Sequence, residues 1–340
     1  MGKGWLRRLG LGLAGTLALG VGGAHAAAHG AKDVSFILNW VAGGDHAPIY
    51  WAQSRGLYEE AGINLTIEPG KGSTMSSQRV GLGQNQMGIA DLGTALVNVG
   101  KGAELVAVFN IYANSPYGFY WKKSSGIASV KDFAGKQIGN PPWDAARQMW
   151  PAFAKSVGMK PDSVKWVNVQ PNAKISALKS DSIDVTTSFY NIHFIFQRVF
   201  GDDMGFVAGK DIGINPYGNS VVVNADFLKE NPDTVAAFVK VTQQAYQDCV
   251  KTPDPCIDAL LAANSGLKKE DSMANWKLVM ELMDHPISRE QGLGYLDPDR
   301  MAADYKLIEA YFNLDNKFDI TEHFTNAYID RDVKMPAPSM

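Results

Sequence analysis

Along this chain, short apolar runs alternate with stretches whose apolar residues recur at helical spacing. Residues 34–38 read as a strand, and 48–60 as a helix carrying Ile49, Ala52 and Leu57 on one face, with Gly62 just beyond its end. A second strand is predicted at 64–68, then a helix at 75–83 entered through Gly70-Lys71-Gly72-Ser73. A third strand at 86–90 leads into a helix that runs to Asn98, and a fourth strand follows at 105–111. The pattern then restarts, with strands at 136–139, 164–169 and 185–188 and helices at 145–157 and 173–179. A lone apolar strand at 220–224 precedes a helical remainder: 232–250, 257–263, 271–283 and 298–312.

Strand–helix alternation run twice is the mark of parallel-sheet α/β units. The expectation is an α/β protein of two lobes, each with a parallel-rich sheet. Lobe 1 would comprise residues 32–122 plus 218–340, and lobe 2 residues 126–214. The chain would cross near 122–126 and 215–218, where Gly and Pro suit a hinge. Two independent domains in tandem would leave the helix-rich tail after a single strand unexplained.

Composition narrows the function classes. With 340 residues, 46 % of them hydrophobic, the chain can fill two cores. A formal net charge of −3 argues against a nucleic-acid partner, which would need a basic face. At the N-terminus, Lys3, Arg7 and Arg8 precede an uncharged Leu/Ala/Gly-rich stretch and then Ala24-His25-Ala26, a small-x-small triplet. This is the layout of a signal peptide, residues 1–26, cleaved near Ala26 so that the mature chain starts at Ala27. The apolar run is shorter than the roughly 20 residues of a spanning helix. Arg7-Arg8 fits the twin-arginine export motif poorly, and no Cys near the cleavage point offers a lipid anchor. Export to the periplasm is therefore expected. There the only two cysteines, Cys249 and Cys256, are expected to form one local disulfide, the alternative being two unrelated buried thiols. Neither is flanked by histidine, which argues against a zinc site.

Ligands of open parallel sheets bind outside the carboxyl ends of the strands, so the residues after each strand are the candidates. After the first come Asn39, with both donors and an acceptor, and Trp40, with a flat face for a ring. Asp45 and His46 follow, Asp45 serving either as ligand contact or as helix cap, and His46 either touching ligand or bonding its own loop. After the second strand, Gly72, Ser73 and Thr74 open a helix with N–H and hydroxyl groups suited to an anion or a polar ring edge, although ordinary capping would look the same. Their spacing is not that of a Walker phosphate loop. Asp91 follows the third strand, and Asn110 and Tyr112 the fourth. In the second lobe, Trp143 reads as a lid aromatic or as lobe packing, Arg147 as a surface cation or as a mark of a ligand carboxylate, and Tyr190 and Asn191 as cleft residues. His193, between Phe194 and Phe196, reads as a packed core histidine. No nucleophile–base pair or metal cluster is legible, so neither catalysis nor a cofactor or metal is expected.

Leu38-Asn39-Trp40, His46-Ala47-Pro48-Ile49-Tyr50 and the run on to Gly62-Ile63 carry a resemblance. Gly88-Ile89-Ala90-Asp91 and the stretch from Val130-Lys131-Asp132-Phe133 to Gly139 extend it. The chain resembles the thiamine-precursor-type branch of the nitrate, sulfonate and taurine binding proteins of ABC importers. That resemblance implies a two-lobed periplasmic-binding-protein fold (type II), hinged, with a small-molecule solute in the interlobe cleft. It also implies a monomer that docks a membrane permease and leaves its solute unchanged. Members of the branch bind formylated or hydroxymethyl aminopyrimidines, which implies Trp40 stacking on the ring and Asn39 bonding its edge. Other branches bind sulfonates or nitrate, and distant ones aromatic carboxylates or riboflavin. Pro141 and Pro142 remove N–H donors where sulfonate binders carry a Gly/Ser-rich loop, which favours a flat heterocycle or aromatic. A eukaryotic relative makes the thiamine pyrimidine and consumes its own histidine. Aligned here, that histidine falls near Thr94, and its cysteine-rich run near 216–222, where this chain has no Cys. A pyrimidine synthase is thus the alternative of another class, and a sensing partner of a membrane receptor a third.

Overall fold

Ten strands pair into two five-stranded sheets in the computed structural model, which describes residues 31–312 and 314–336. The expected signal peptide, residues 1–26, lies outside the described residues. The strands in chain order are β1 Lys32–Ile37, β2 Ile63–Glu68, β3 Met87–Asp91, β4 Leu105–Asn110, β5 Tyr117–Lys122, β6 Gln137–Gly139, β7 Lys165–Val167, β8 Val185–Phe189, β9 Met204–Ala208 and β10 Asn219–Asn224. The first sheet has the order β2-β1-β3-β10-β4 and the second β7-β6-β8-β5-β9. In each, one strand runs against its neighbours: β10 pairs antiparallel with β3 and β4, and β5 with β8 and β9.

Two expectations are corrected here. The sheets are mixed rather than parallel-rich, with four parallel pairings and four antiparallel ones. Residues 117–122, assigned from sequence to lobe 1, form an interior antiparallel strand of the second sheet, between β8 and β9, so the first crossing lies at 111–116. The physical reason is burial. β5 is buried at every position but its last, so it shows no alternation that would reveal its partners, and Asn114-Ser115-Pro116 breaks the chain just before it. The second crossing runs through 209–218, and β10 and β5 are each the first strand laid down after a crossing.

Two predicted helices are interrupted. Residues 48–60 split into Ala47–Ser54 and Leu57–Glu60 around Gly56, whose φ of 71° breaks the helical path. Residues 145–157 split at Met149, because Pro151 has no N–H to continue the ladder.

The C-terminal helices pack on the first sheet. The helix Pro232–Lys251 buries Val235, Phe238, Val239, Thr242 and Tyr246 along one face. Phe238 stacks on Phe36 and on Tyr58, each at 5.2 Å between ring centroids. A disulfide joins Cys249 at its end to Cys256 in the next helix, Pro253–Ala263. The helix Pro298–Tyr311 lies against the second crossing. Asp304 Oδ2 accepts the Tyr217 N–H at 2.9 Å, and Arg300 donates to the Asn215 carbonyl at 2.7 Å while its guanidinium covers the Tyr217 ring at 4.0 Å. Among the described residues, no helix is long and apolar enough to cross a membrane.

Candidate functional site

A cavity of about 560 Å³ opens between the two sheets. Its walls are the loops that leave β1 and β2 on one side and β6, β7 and β8 on the other, which are the carboxyl ends of the parallel strands. Eight of the thirteen residues named from sequence line it: Asn39, Trp40, Asp45, Gly72, Ser73, Thr74, Trp143 and Asn191.

The first wall is set by backbone. The Gly72 N–H donates to the Asn39 carbonyl at 2.8 Å and the Gly70 N–H to the Trp40 carbonyl at 3.1 Å. A Cβ on Gly70 would sit 1.8 Å from the Leu38 carbonyl oxygen, so only glycine permits this approach. The helix Ser73–Gly81 starts here without a side-chain cap, so the Ser73 and Thr74 amides face the cavity rim. The Ser73 hydroxyl is engaged, accepting the Asp91 N–H at 2.9 Å. Trp40 is 45 % exposed on this wall and Trp143 56 % exposed on the facing one. Large apolar side chains left this open in a cleft carry a ring's worth of buriable surface each.

Five named residues do not line the cavity. His46 is 1 % exposed and lies behind Asn39, its Nε2 2.9 Å from Asn39 Oδ1 and its Nδ1 3.1 Å from the Gly43 N. Burial holds the His46 imidazole below its ordinary pKa, against the opposing pull of the Asp45 carboxylate. Tyr112 sits beneath Asp45, donating its hydroxyl to Oδ2 at 3.1 Å, and Asn110 bonds Ser220 within the first sheet. Asp91 caps the helix Leu92–Val99: its Oδ1 accepts from the Thr94 N–H at 3.0 Å, the Thr94 hydroxyl at 2.9 Å and the Tyr117 hydroxyl at 2.9 Å. Burial pushes that carboxyl up despite these donors. Tyr190 points away, its hydroxyl bonding Glu281 at 2.8 Å. These five lie at or just after strand ends, but their polar groups are engaged within the protein, and strand position alone does not distinguish such residues from those that line the cavity.

Among the wall residues that the sequence does not single out, three polar ones are tied into the site. Lys174, buried at the start of the helix Lys174–Lys179, donates to Asp144 Oδ2 at 2.8 Å and to the Thr187 carbonyl at 3.1 Å. Asp144 in turn caps the helix Ala145–Gln148 and accepts from Asn140 at 3.0 Å. Asn275, from the helix Lys269–Met283, accepts the Asp45 N–H at 2.9 Å and donates to the Asn191 carbonyl at 3.0 Å, bridging the two walls. Arg147 faces away, lying 4.9 Å from the Trp166 ring, and His193 packs against Phe206 with its Nδ1 3.2 Å from the Tyr120 hydroxyl. Among the described residues, no group of three or more His, Cys, Asp or Glu could hold a metal ion.

The model of the family described as NMT1/THI5 like matches residues 44–255. Among curated relatives, the 4-amino-5-hydroxymethyl-2-methylpyrimidine phosphate synthase of Legionella pneumophila is 24 % identical, over 87 % of this chain and 92 % of that protein. The formylaminopyrimidine-binding protein of Halalkalibacterium halodurans is 20 % identical, over 75 % of this chain and 79 % of its own length. Among solved structures, the alkanesulfonate-binding protein SsuA from Xanthomonas axonopodis pv. citri, bound to MOPS, superposes with a TM-score of 0.69 at 13 % identity, covering 88 % of this chain and all 100 % of that one. A Candida albicans protein with the generic periplasmic binding protein fold gives 0.65 at 13 % identity, over 88 % and 98 %. The architecture is thus the periplasmic-binding-protein fold.

Proposed function

Because the chain belongs to the NMT1/THI5-like family, we propose that it is the extracytoplasmic solute-binding component of an ABC importer, taking a flat heterocyclic solute of the aminopyrimidine type between its lobes and releasing it unchanged. The observation that carries this reading is the pair of exposed tryptophans, Trp40 and Trp143, on opposite walls of one cavity. A planar ring entering between them would bury two aromatic faces at once, while Asn39 and the Ser73 and Thr74 amides meet its polar edge. Closure would be driven by contacts made only when both walls reach the ring, with the crossings at 111–116 and 209–218 as hinges. Gly72, Asp45 and Asn191 complete the proposed contact set. Pyrimidine recognition is named for the Halalkalibacterium relative, and a pyrimidine synthase for the Legionella one.

Those two names separate binding from synthesis, and the cavity favours binding. Among the described residues, no Cys or His lines it: His46 lies behind Asn39, and both cysteines are joined to each other. The test is a thermal-shift screen of aminopyrimidines, sulfonates and aromatic acids, with the solute recovered and weighed by mass spectrometry. An aminopyrimidine present at about a hundred times its Kd should stabilise the fold by ~2.7 kcal/mol and be recovered intact. A response to sulfonates alone would turn the reading to the anion-binding branch, and a changed solute mass would overturn it in favour of an enzyme.

A further inference from the structure

We propose that His46 is a positioning residue: it fixes the Asn39 side-chain amide as a hydrogen-bond donor toward the cavity, so that the solute must present an acceptor there, a ring nitrogen or a carbonyl oxygen. This rests on the binding role proposed above for the cavity, but its first half concerns the protein alone.

Two bonds in series carry the inference. The Gly43 N–H points at His46 Nδ1 from 3.1 Å, so that nitrogen must offer a lone pair. In a neutral imidazole the proton then sits on Nε2. Nε2 lies 2.9 Å from Asn39 Oδ1 and donates to it. With its oxygen held from behind, Asn39 turns its NH₂ group the other way. Among the described residues Nδ2 has no partner, although Asn39 is only 6 % exposed and lines the cavity. Closure over a solute would strip cavity water from this amide donor, and a donor sealed off without an acceptor costs free energy, which rewards an acceptor and rejects a donor.

The competing arrangement places the proton on Nδ1, toward Asp45 Oδ1 3.2 Å away. It would put two hydrogens between Nδ1 and the Gly43 nitrogen and would free Asn39 to present its oxygen. Asp45 has a donor of its own in the Tyr112 hydroxyl at 3.1 Å, so it does not need the imidazole proton. Protonating both nitrogens would bury a cation that desolvation disfavours.

Nitrogen NMR of the full, ligand-free protein labelled at histidine reads the tautomer directly. The expected result is a neutral His46 protonated at Nε2, and a proton on Nδ1 overturns the proposal whether or not any solute binds. The second measurement is calorimetry with 4-amino-5-hydroxymethyl-2-methylpyrimidine and with its analogues in which a ring nitrogen is replaced by C–H. The folded wild type should favour the pyrimidine over one such analogue by about tenfold or more. His46→Gln, whose amide nitrogen stands where Nε2 stands, should keep that preference. His46→Asn, which mimics only Nδ1, should lose most of it while melting cooperatively. Equal preference in wild type and both variants would remove His46 from specificity. Failure of every probe to bind, with the Nε2 tautomer found, would count against the solute reading and leave the relay standing.

Discussion

The Tyr117 hydroxyl, at the first residue of β5 in the second sheet, donates a 2.9 Å hydrogen bond to Oδ1 of Asp91, the last residue of β3 in the first. It is a polar joint between the two halves of the molecule, made where the chain has just crossed. Among the described residues Asp91 Oδ2 has no partner, so the three donors on Oδ1 are what make this buried carboxyl tolerable. Tyr117→Phe should therefore lower unfolding stability by about 1–3 kcal/mol, seen as an earlier midpoint in urea with the slope unchanged. An unmoved midpoint would mean the bond contributes nothing net.

Asp304 should make the fold pH-dependent near neutrality. Burial pushes its carboxyl up to about 7 from 3.8, with the Tyr217 N–H and Arg300 opposing and the Asp91 carboxyl adding to the rise. Between pH 3.8 and about 7 the native protein holds a proton that the unfolded chain has released, so stability falls as pH rises through that range. Its contribution is fully present below pH 3.8 and is lost as pH climbs through about 7. Asp304→Asn, which keeps the acceptor for Tyr217 but never ionises, should accordingly flatten the fall in melting temperature between pH 3.8 and about 7, the window set by these values. A variant whose melting curve tracks wild type across that window would show that Asp304 ionises normally.

Much of the first wall is readable from sequence, because Asn39 and Trp40 follow a clear strand and Gly70-Lys71-Gly72-Ser73 leads into a helix. What escaped has physical causes. β5 shows no alternation, since nearly all of it is buried, so the hydrophobic pattern places the lobe boundary too far along the chain. Lys174 begins a helix where a cation opposes the dipole, and nothing local says it is buried; only the fold brings Asp144, thirty residues away, to neutralise it. Asn275 bridges Asp45 and Asn191 from a helix far along the chain, a juxtaposition that no local pattern encodes. His46 sat beside true wall residues in sequence, but the short helical turn Gly44–His46 directs it inward.

Reducing the disulfide should cost stability without touching the cavity. Cys249 and Cys256 close a short loop seven residues apart, and the chain-entropy estimate for a loop of that size is ~2–3 kcal/mol. The bridge ties two helices that pack behind the first sheet, and the Cys249 carbonyl also accepts from the Trp276 indole at 3.2 Å. A reductant, or Cys249→Ser with Cys256→Ser, should lower the melting temperature by several degrees and leave solute affinity within error. A large loss of affinity would mean that this corner is coupled to the cleft.

The two exposed tryptophans give the sharpest test of how the solute is held. Trp40→Ala removes a side chain that is already 45 % exposed, so the fold loses little packing and the melting temperature should move by no more than a degree or so. If a ring stacks on it, the solute loses ~1–3 kcal/mol, about a tenfold to hundredfold rise in Kd by calorimetry. Trp143→Ala should behave alike, because the same ring would touch it from the facing wall. The double variant separates a sandwich from two independent contacts. Two tryptophans closing on one ring are coupled through it, so the double loss should fall short of the two single losses added together. Strict additivity would place them on different parts of the solute, and an unchanged Kd in Trp40→Ala would remove that residue from the site altogether.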